Sequence, residues 1–263
     1  MDLQLKGRRA LITGASKGIG FAVAKSLAAE GCNLELAARG ADGLDAARRT
    51  LTASAPDIEV RTHAADLSKV EDQERLAQAC AGVDILVNNA GANPAGSLED
   101  TTDAIWRNAW DLKVFGYIDL TRAYLARMTK RGKGVIVCVI GAAGERADPN
   151  YVAGCMGNAA LNMLVQCLGG ESVRHGVRVV AVNPGPIMTD RFMHGMLWRA
   201  EKRFGDKARW PEILSADLPI KRAGTVEEVA SAVAFLASDH ASYISGEALR
   251  IDAGFMGAFR TKN

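Results

Sequence analysis

The chain has 263 residues, a mass of 27.9 kDa and 48% apolar residues. A compact chain of this size hides roughly 70–75% of its unfolded surface, so its core needs no covalent or metal staples. Thirty-two Lys and Arg against 30 Asp and Glu give a net charge of +2. That balance argues against nucleic acid or an anionic membrane as the main partner, and the apolar content excludes a disordered chain.

The five cysteines (Cys32, Cys80, Cys138, Cys155, Cys167) are odd in number and show no CxxC spacing. This points away from a zinc ribbon or disulfide scaffold and toward a reducing cytoplasm. His63, His175, His194 and His240 lie far apart, and no metal is expected. The residues after Met1 carry no apolar signal region, and no apolar run approaches the roughly 18–20 residues of a membrane span.

In chain order, short β-type runs alternate with helical stretches. Ala10–Thr13 reads as a buried strand, Phe21–Glu30 as a helix stopped by Gly31, and Asn33–Ala38 as the next strand. Leu44–Ala53 is helical up to Pro56-Asp57, Val60–Ala65 is a strand, Val70–Ala81 a polar helix and Val83–Val87 a strand. Two long helices cover 102–131, Gly134–Ile140 is a buried strand, 152–173 a helix and Val177–Val182 a strand. Glu227–Ala237 is helical and Ala248–Ile251 is a last short strand. Continuous apolar strands separated by helices predict an α/β fold: a doubly wound parallel sheet with helices on both faces. With no internal repeat or linker, residues 1–263 read as one Rossmann-type domain, and 190–216 as an insertion covering the substrate.

Thr13-Gly14-Ala15-Ser16-Lys17-Gly18-Ile19-Gly20 follows the first strand and opens the first helix. Glycines let the backbone turn tightly against a pyrophosphate, and the helix N-terminus offers free N–H groups and partial positive charge. Over nearly its whole length the chain resembles the short-chain dehydrogenase/reductases. Gly14–Gly20 matches their GxxxGxG, and Asn88-Asn89-Ala90-Gly91 their NNAG. Arg222-Ala223-Gly224, Glu227-Glu228-Val229-Ala230, Ser245-Gly246 and Asp252-Ala253-Gly254 match their C-terminal signature. The resemblance implies a nicotinamide cofactor held by Gly14, Ser16, Lys17, Gly18, Ile19 and Gly20, with Asp66 and Leu67 at the adenine and Asn89, Ala90 and Gly91 beside it. Asn183-Pro184-Gly185, with Ile187 and Thr189, matches the segment that holds the nicotinamide amide.

A carboxylate at the end of the second strand would bond a ribose 2′-hydroxyl and repel a 2′-phosphate. That place is Ala38, followed by Arg39, with Lys17 in the glycine loop. Two cations and no acid predict NADP(H).

The catalytic end departs from the family. In its pattern serine lies thirteen residues before the tyrosine, lysine four after it, and the proline of Asn-Pro-Gly thirty after it. Counted from Pro184, these places hold Gly141, Gly154 and Asn158, and the helix asparagine place, counted from Trp106, holds Lys113. Tyr151 stands three residues before the vacant tyrosine place and seven before Asn158. That spacing, the string Gly144–Tyr151 and Gly185–Thr189 resemble the enoyl-acyl-carrier-protein reductases, a divergent branch. The candidate catalytic set is therefore Tyr151 as proton donor, Asn158 as a ribose-holding amide and Lys113 as a replacement cation. With no ammonium beside it, Tyr151 should stay neutral near pH 7, which suits carbonyl reduction.

The stretch 190–216 contains Phe192, Met193, Met196, Leu197, Trp198, Phe204 and Trp210 among six Lys and Arg residues. It either lines an apolar pocket for an amphipathic or anionic small molecule, or packs as an amphipathic helix with its charges in water. Three functions follow: an NADP(H)-dependent carbonyl reductase, a reductase of C=C bonds conjugated to a carbonyl, and an NADP(H)-binding protein without turnover. The resemblance also implies a homotetramer or homodimer formed through 102–131 and 152–173, with Phe255–Asn263 near another interface.

Overall fold

The computed structural model of the chain describes residues 2–91 and 93–257. Its strands are β1 (Arg9–Thr13), β2 (Asn33–Ala38), β3 (Val60–Ala64), β4 (Ile85–Asn88), β5 (Gly134–Val139), β6 (Val177–Pro184) and β7 (Ala248–Ile251). They form one parallel sheet in the order β3-β2-β1-β4-β5-β6-β7. The order reverses between β1 and β4, and a crevice opens at the C-terminal ends of strands where such a reversal occurs.

The longer helices are α1 (Gly18–Ala29), α2 (Ala41–Ser54), α3 (Val70–Ala79), α4 (Asp103–Trp110), α5 (Gly116–Arg131), α6 (Val152–Ser172), α7 (Asp190–Phe204), α8 (Trp210–Asp217) and α9 (Val226–Ala237). On one face α1, α2 and α9 pack Val23, Leu27, Leu44, Leu51, Val229 and Val233 against Ile12, Val137 and Val180. On the other, α3, α5 and α6 pack Leu76, Leu120, Tyr124, Leu161 and Val165 against Leu11, Ile136 and Val179. Alternate residues of each central strand go to opposite cores, which is why the strands read as unbroken apolar runs.

The differences from the sequence expectations have local causes. The 102–131 stretch contains a wide π turn at Asp111–Phe115 between α4 and α5, and this turn carries Lys113 and Val114 inward. β6 continues two residues past Val182 because Asn183 and Pro184 pair with Arg250 and Ile251 of β7. α1 begins at Gly18 rather than Phe21, within the glycine loop itself. Helix Val152–His175 is long and apolar enough, by length and composition, to cross a membrane, contrary to the sequence reading. Here Leu161 and Val165 bury against β5 and β6 instead.

The 190–216 stretch forms α7 and α8, joined by a short 3-10 turn at Lys207–Arg209. Met196, Ala200, Ile213 and Leu214 make a small core with Phe192, Phe204, Trp210 and Phe255 packed against it. Of the two readings of this stretch, the structure favours the amphipathic-helix reading for these side chains. The expected interface segment Phe255–Asn263 falls outside the described residues beyond Gly257.

Candidate active site

The crevice is built first at the end of β1. Thr13 Oγ1 accepts from the backbone N–H groups of Asn89 and Ala90, both at 2.9 Å, and donates to Val87 O. Asn89 Nδ2 donates to Thr13 O at 2.8 Å. These bonds lock the NNAG segment to the glycine loop. Gly14 and Gly18 adopt left-handed φ of 66° and 58°. A Cβ on Gly20 would stand 2.4 Å from both Gly14 O and Asn89 Nδ2, so this turn admits only glycine.

The N-terminal N–H groups of α1 have no capping side chain, because Lys17 at the cap makes no cap bond. A close backbone approach with open N–H donors fits a pyrophosphate, so the residues present fit a dinucleotide. Lys17 and Arg39 are both exposed near this end, with no ion-pair partner among the described residues. Ser16 lies close to Gly43 at the start of α2. Asp66 is fixed in place: its N–H donates to Asp72 Oδ2 at 2.7 Å, and its Oδ1 accepts from the Ser68 hydroxyl at 2.8 Å. Leu67 is buried. Across the crevice Gly185 N–H donates to Ile251 O, Ile187 bridges to Gly224, and Thr189 caps α7 by accepting from Phe192 N–H at 3.2 Å. The Thr189 methyl would lie 3.9 Å from a Cβ on Gly18, so the two sides of the groove face each other. Asn183, next to Pro184, is fully buried: it accepts from Gly141 N–H and donates to Glu145 and Asn162.

At the catalytic end two substitutions are coupled in space. Gly141 has φ 137°, a conformation that side-chain-bearing residues rarely adopt, and a Cβ there would meet Asn158 Nδ2 at 2.9 Å. The Asn158 amide therefore takes the room that a side chain at 141 would need. Gly154 is coupled to Tyr151 in the same way: Cε1 and Cζ of the Tyr151 ring stand 2.2 Å from the Cβ position of residue 154. The phenol thus returns to the root of the vacant tyrosine place, with its hydroxyl one C–O bond beyond. Tyr151 precedes the first turn of α6, and it is held there by a bridge to Gly96 and by Gly96 N–H donating to Asn150 O.

Burial pushes the Tyr151 phenol above its ordinary value, while the Arg191 guanidinium and the Asn93 amide pull it part of the way back. In the sequence Arg191 is one of the six cations of the 190–216 stretch, with nothing to set it apart. Asn93 was missed altogether; its one signal was its place two residues after NNAG. Asn93 is buried, its Nδ2 lies 3.5 Å from Asn158 Oδ1, and its own Oδ1 has no partner among the described residues.

Lys113 is buried and committed to backbone. Its stem lies over Gly91, and its Nζ donates to Ile140 O at 2.5 Å, next to the Tyr117 hydroxyl bonded to Val139 O. Burial brings the ammonium down to about 7, with the Arg191 charge adding to the effect. The cation that acts on both Lys113 and Tyr151 is Arg191.

Comparison with known proteins bears on the family and the fold. The family model described as enoyl-(acyl carrier protein) reductase matches residues 14–256. Human dehydrogenase/reductase SDR family member 4 is 33% identical over 255 residues, covering 95% of this chain and 88% of the relative. The chain belongs to the short-chain dehydrogenase/reductase family. A further relative, NADPH-dependent reductase BacG of Bacillus subtilis (strain 168), is 28% identical over 253 residues, covering 95% of this chain and 98% of the relative. Among solved structures, L-sorbose reductase from Gluconobacter frateurii, complexed with NADPH and L-sorbose, superposes with a TM-score of 0.91. It is 30% identical and covers 98% of this chain and 100% of its own. The short-chain dehydrogenase/reductase fold and oxidoreductase class follow from these matches.

Proposed function

We propose that this chain is an NADP(H)-dependent carbonyl reductase with Tyr151 as its proton donor. The observation that carries the reading is the Tyr151 ring lying across Gly154. A phenol relocated to the emptied tyrosine place is a rearranged site, whereas simple decay would leave the place empty. NADPH supplies the hydride when bound. Gly14, Ser16, Gly18, Ile19 and Gly20 would hold its pyrophosphate end, Asp66 and Leu67 its adenine, and Lys17 and Arg39 its 2′-phosphate, since Ala38 offers no carboxylate against it. Asn89, Ala90 and Gly91 form one wall, and Pro184, Gly185, Ile187 and Thr189 the other.

As charge develops on the substrate oxygen, the Tyr151 hydroxyl donates its proton, and Arg191 steadies the phenolate left behind. A phenol kept neutral by burial carries the proton that reduction needs, whereas the reverse reaction needs the phenolate that burial disfavours. Asn158 and Asn93 orient the donor, and Asn158 is the amide available to a ribose hydroxyl. Lys113 serves as a floor under Gly91 and Ile140 rather than as the phenol's partner. The preferred substrate is a small carbonyl compound with an anionic group, drawn by Arg191, which has no ion-pair partner among the described residues. A second copy would pack on α6, where Met156 and Met163, two turns apart on one face, are exposed. The free cysteines suit a reducing, cytoplasmic setting.

Reduction of a conjugated C=C bond is the second reading, favoured by the seven-residue separation of Tyr151 and Asn158. One experiment tests both: NADPH oxidation with a panel of ketones, keto acids and enones, followed by product identification. The carbonyl reading expects alcohols, including the allylic alcohol from an enone. A saturated ketone would establish the second reading. Tight NADPH binding with no oxidation across the panel would leave the chain a nucleotide-binding protein and overturn both.

A further inference from the structure

A buried polar cluster lies on the sheet face covered by α3 and α5, away from the cofactor crevice. Glu35 sits in the middle of β2 and is 2% exposed, in a place where its neighbours on that strand are apolar. The β2–β3 register pairs Glu35 with Arg61 and puts His63 two residues further along the same face of β3. Cys80, the residue that ends α3, is buried against the same spot. His63 Nε2 lies 2.7 Å from Glu35 Oε2 and 3.3 Å from Cys80 Sγ. All three ligand atoms fall within 4.8 Å of one another.

The two oxygens of Glu35 are used differently. Oε1 accepts from Arg9 at 2.8 Å and has Arg61 at 3.8 Å, whereas Oε2 turns toward His63. Both guanidiniums are also paired with Glu59. A carboxylate with one oxygen held by guanidinium and the other on a histidine that also meets a thiol has the arrangement of a metal ligand with its supporting shell.

We propose that Glu35, His63 and Cys80 form a site for one thiophilic divalent cation of the zinc or cadmium kind. One sulfur, one imidazole nitrogen and one carboxylate oxygen is a donor set that suits Zn²⁺. Tetrahedral zinc places such donors about 3.3–3.6 Å apart, so the His63–Glu35 contact opens by roughly half an ångström on loading. His63 is 21% exposed, which leaves an entry path from solvent. On binding, the Cys80 S–H bond breaks and its proton goes to solvent, while the thiolate and the Glu35 carboxylate offset the two positive charges. The neutral imidazole keeps its proton on Nδ1. The bound ion would fasten the end of α3 to β2 and to the edge strand β3. No sequence motif announces the site, because the three ligands come from three separate elements.

The test uses the full chain carrying Cys167→Ser, which removes the exposed thiol. Cadmium is titrated and the thiolate-to-metal charge-transfer absorbance is followed. In parallel, zinc loading is followed by thermal unfolding and by X-ray absorption at the zinc edge. One equivalent should saturate the band. The absorption spectrum should show one sulfur with lighter donors, and excess zinc should raise Tm by about 3–8 °C. Adding Cys80→Ser should remove the band and the Tm rise, and adding His63→Gln should weaken binding at least about tenfold. A band that survives Cys80→Ser, or no band at millimolar cadmium, overturns the proposal. If Cys80→Ser fails to fold, the His63→Gln titration decides: affinity equal to that of the parent overturns it.

Discussion

The ring of Tyr151 lies across the Cα of Gly154, with Cε1 and Cζ 2.2 Å from where a side chain on residue 154 would begin. The pairing makes a specific demand on a residue that carries no functional group. Gly154→Ala drives a methyl into the ring and displaces the phenol. Misplacing a catalytic group by about 1 Å can cost up to about a hundredfold in rate. Turnover should therefore fall at least about tenfold in Gly154→Ala, with the NADPH dissociation constant changed less than about twofold. Steady-state kinetics with fluorescence titration of NADPH measures both.

Arg191 and Tyr151 make a second prediction, on the pH profile. The guanidinium lowers the phenol and burial raises it, with burial the larger effect. Reduction needs the protonated phenol, so kcat/KM falls as pH rises through its pKa. Arg191→Gln removes the lowering charge and should move that alkaline fall to higher pH. It should also raise KM for anionic carbonyl compounds more than for neutral ones.

Lys113 is expected to show itself in stability rather than in chemistry. Its folded pKa of about 7 lies below the unfolded value of 10.5. The unfolded chain thus binds more protons between those values, and stability rises with pH across that window, by no more than about 1.4 kcal/mol per pH unit. In Lys113→Met the rise is absent. Denaturant unfolding of both proteins from pH 6.5 to 10 should show the native chain gaining on the variant as pH increases.

Cofactor choice rests on the residues after β2. Ala38→Asp puts a carboxylate where a 2′-phosphate would lie, beside Arg39. The ratio of kcat/KM for NADPH to that for NADH should drop by at least about tenfold. Arg39→Ala should weaken NADPH with little effect on NADH.

Strand identity was legible because each central strand is buried on both faces, so Leu11, Ile12, Val135–Val139 and Val179–Val182 form short apolar runs rich in β-branched residues. The glycine loop was legible because Gly14, Gly18 and Gly20 satisfy backbone demands that are written into residue type. The catalytic end was less so. Sequence spacing located Tyr151, Asn158 and Lys113, but their roles depend on which way each side chain turns. The wide turn at Asp111–Phe115 sends Lys113 beneath Gly91, where its ammonium bonds to Ile140 O. The charge of Arg191 acts on the phenol from the start of α7, and of the two open readings for the aromatic groups of 190–216, Phe192, Phe204 and Trp210 follow the helix-packing one, against the small core of α7 and α8. The meeting of Glu35, His63 and Cys80 depends on sheet register and helix packing, for which linear spacing gives no cue.

The most direct measurement is NADPH turnover by Tyr151→Phe on the best carbonyl substrate, compared with its NADPH affinity. Loss of a general acid costs about a hundredfold to ten-thousandfold in rate. A fall of that size, with NADPH binding within about twofold of the native chain, is the predicted result. Turnover unchanged by removal of that one hydroxyl would contradict the assignment of Tyr151 as the proton donor.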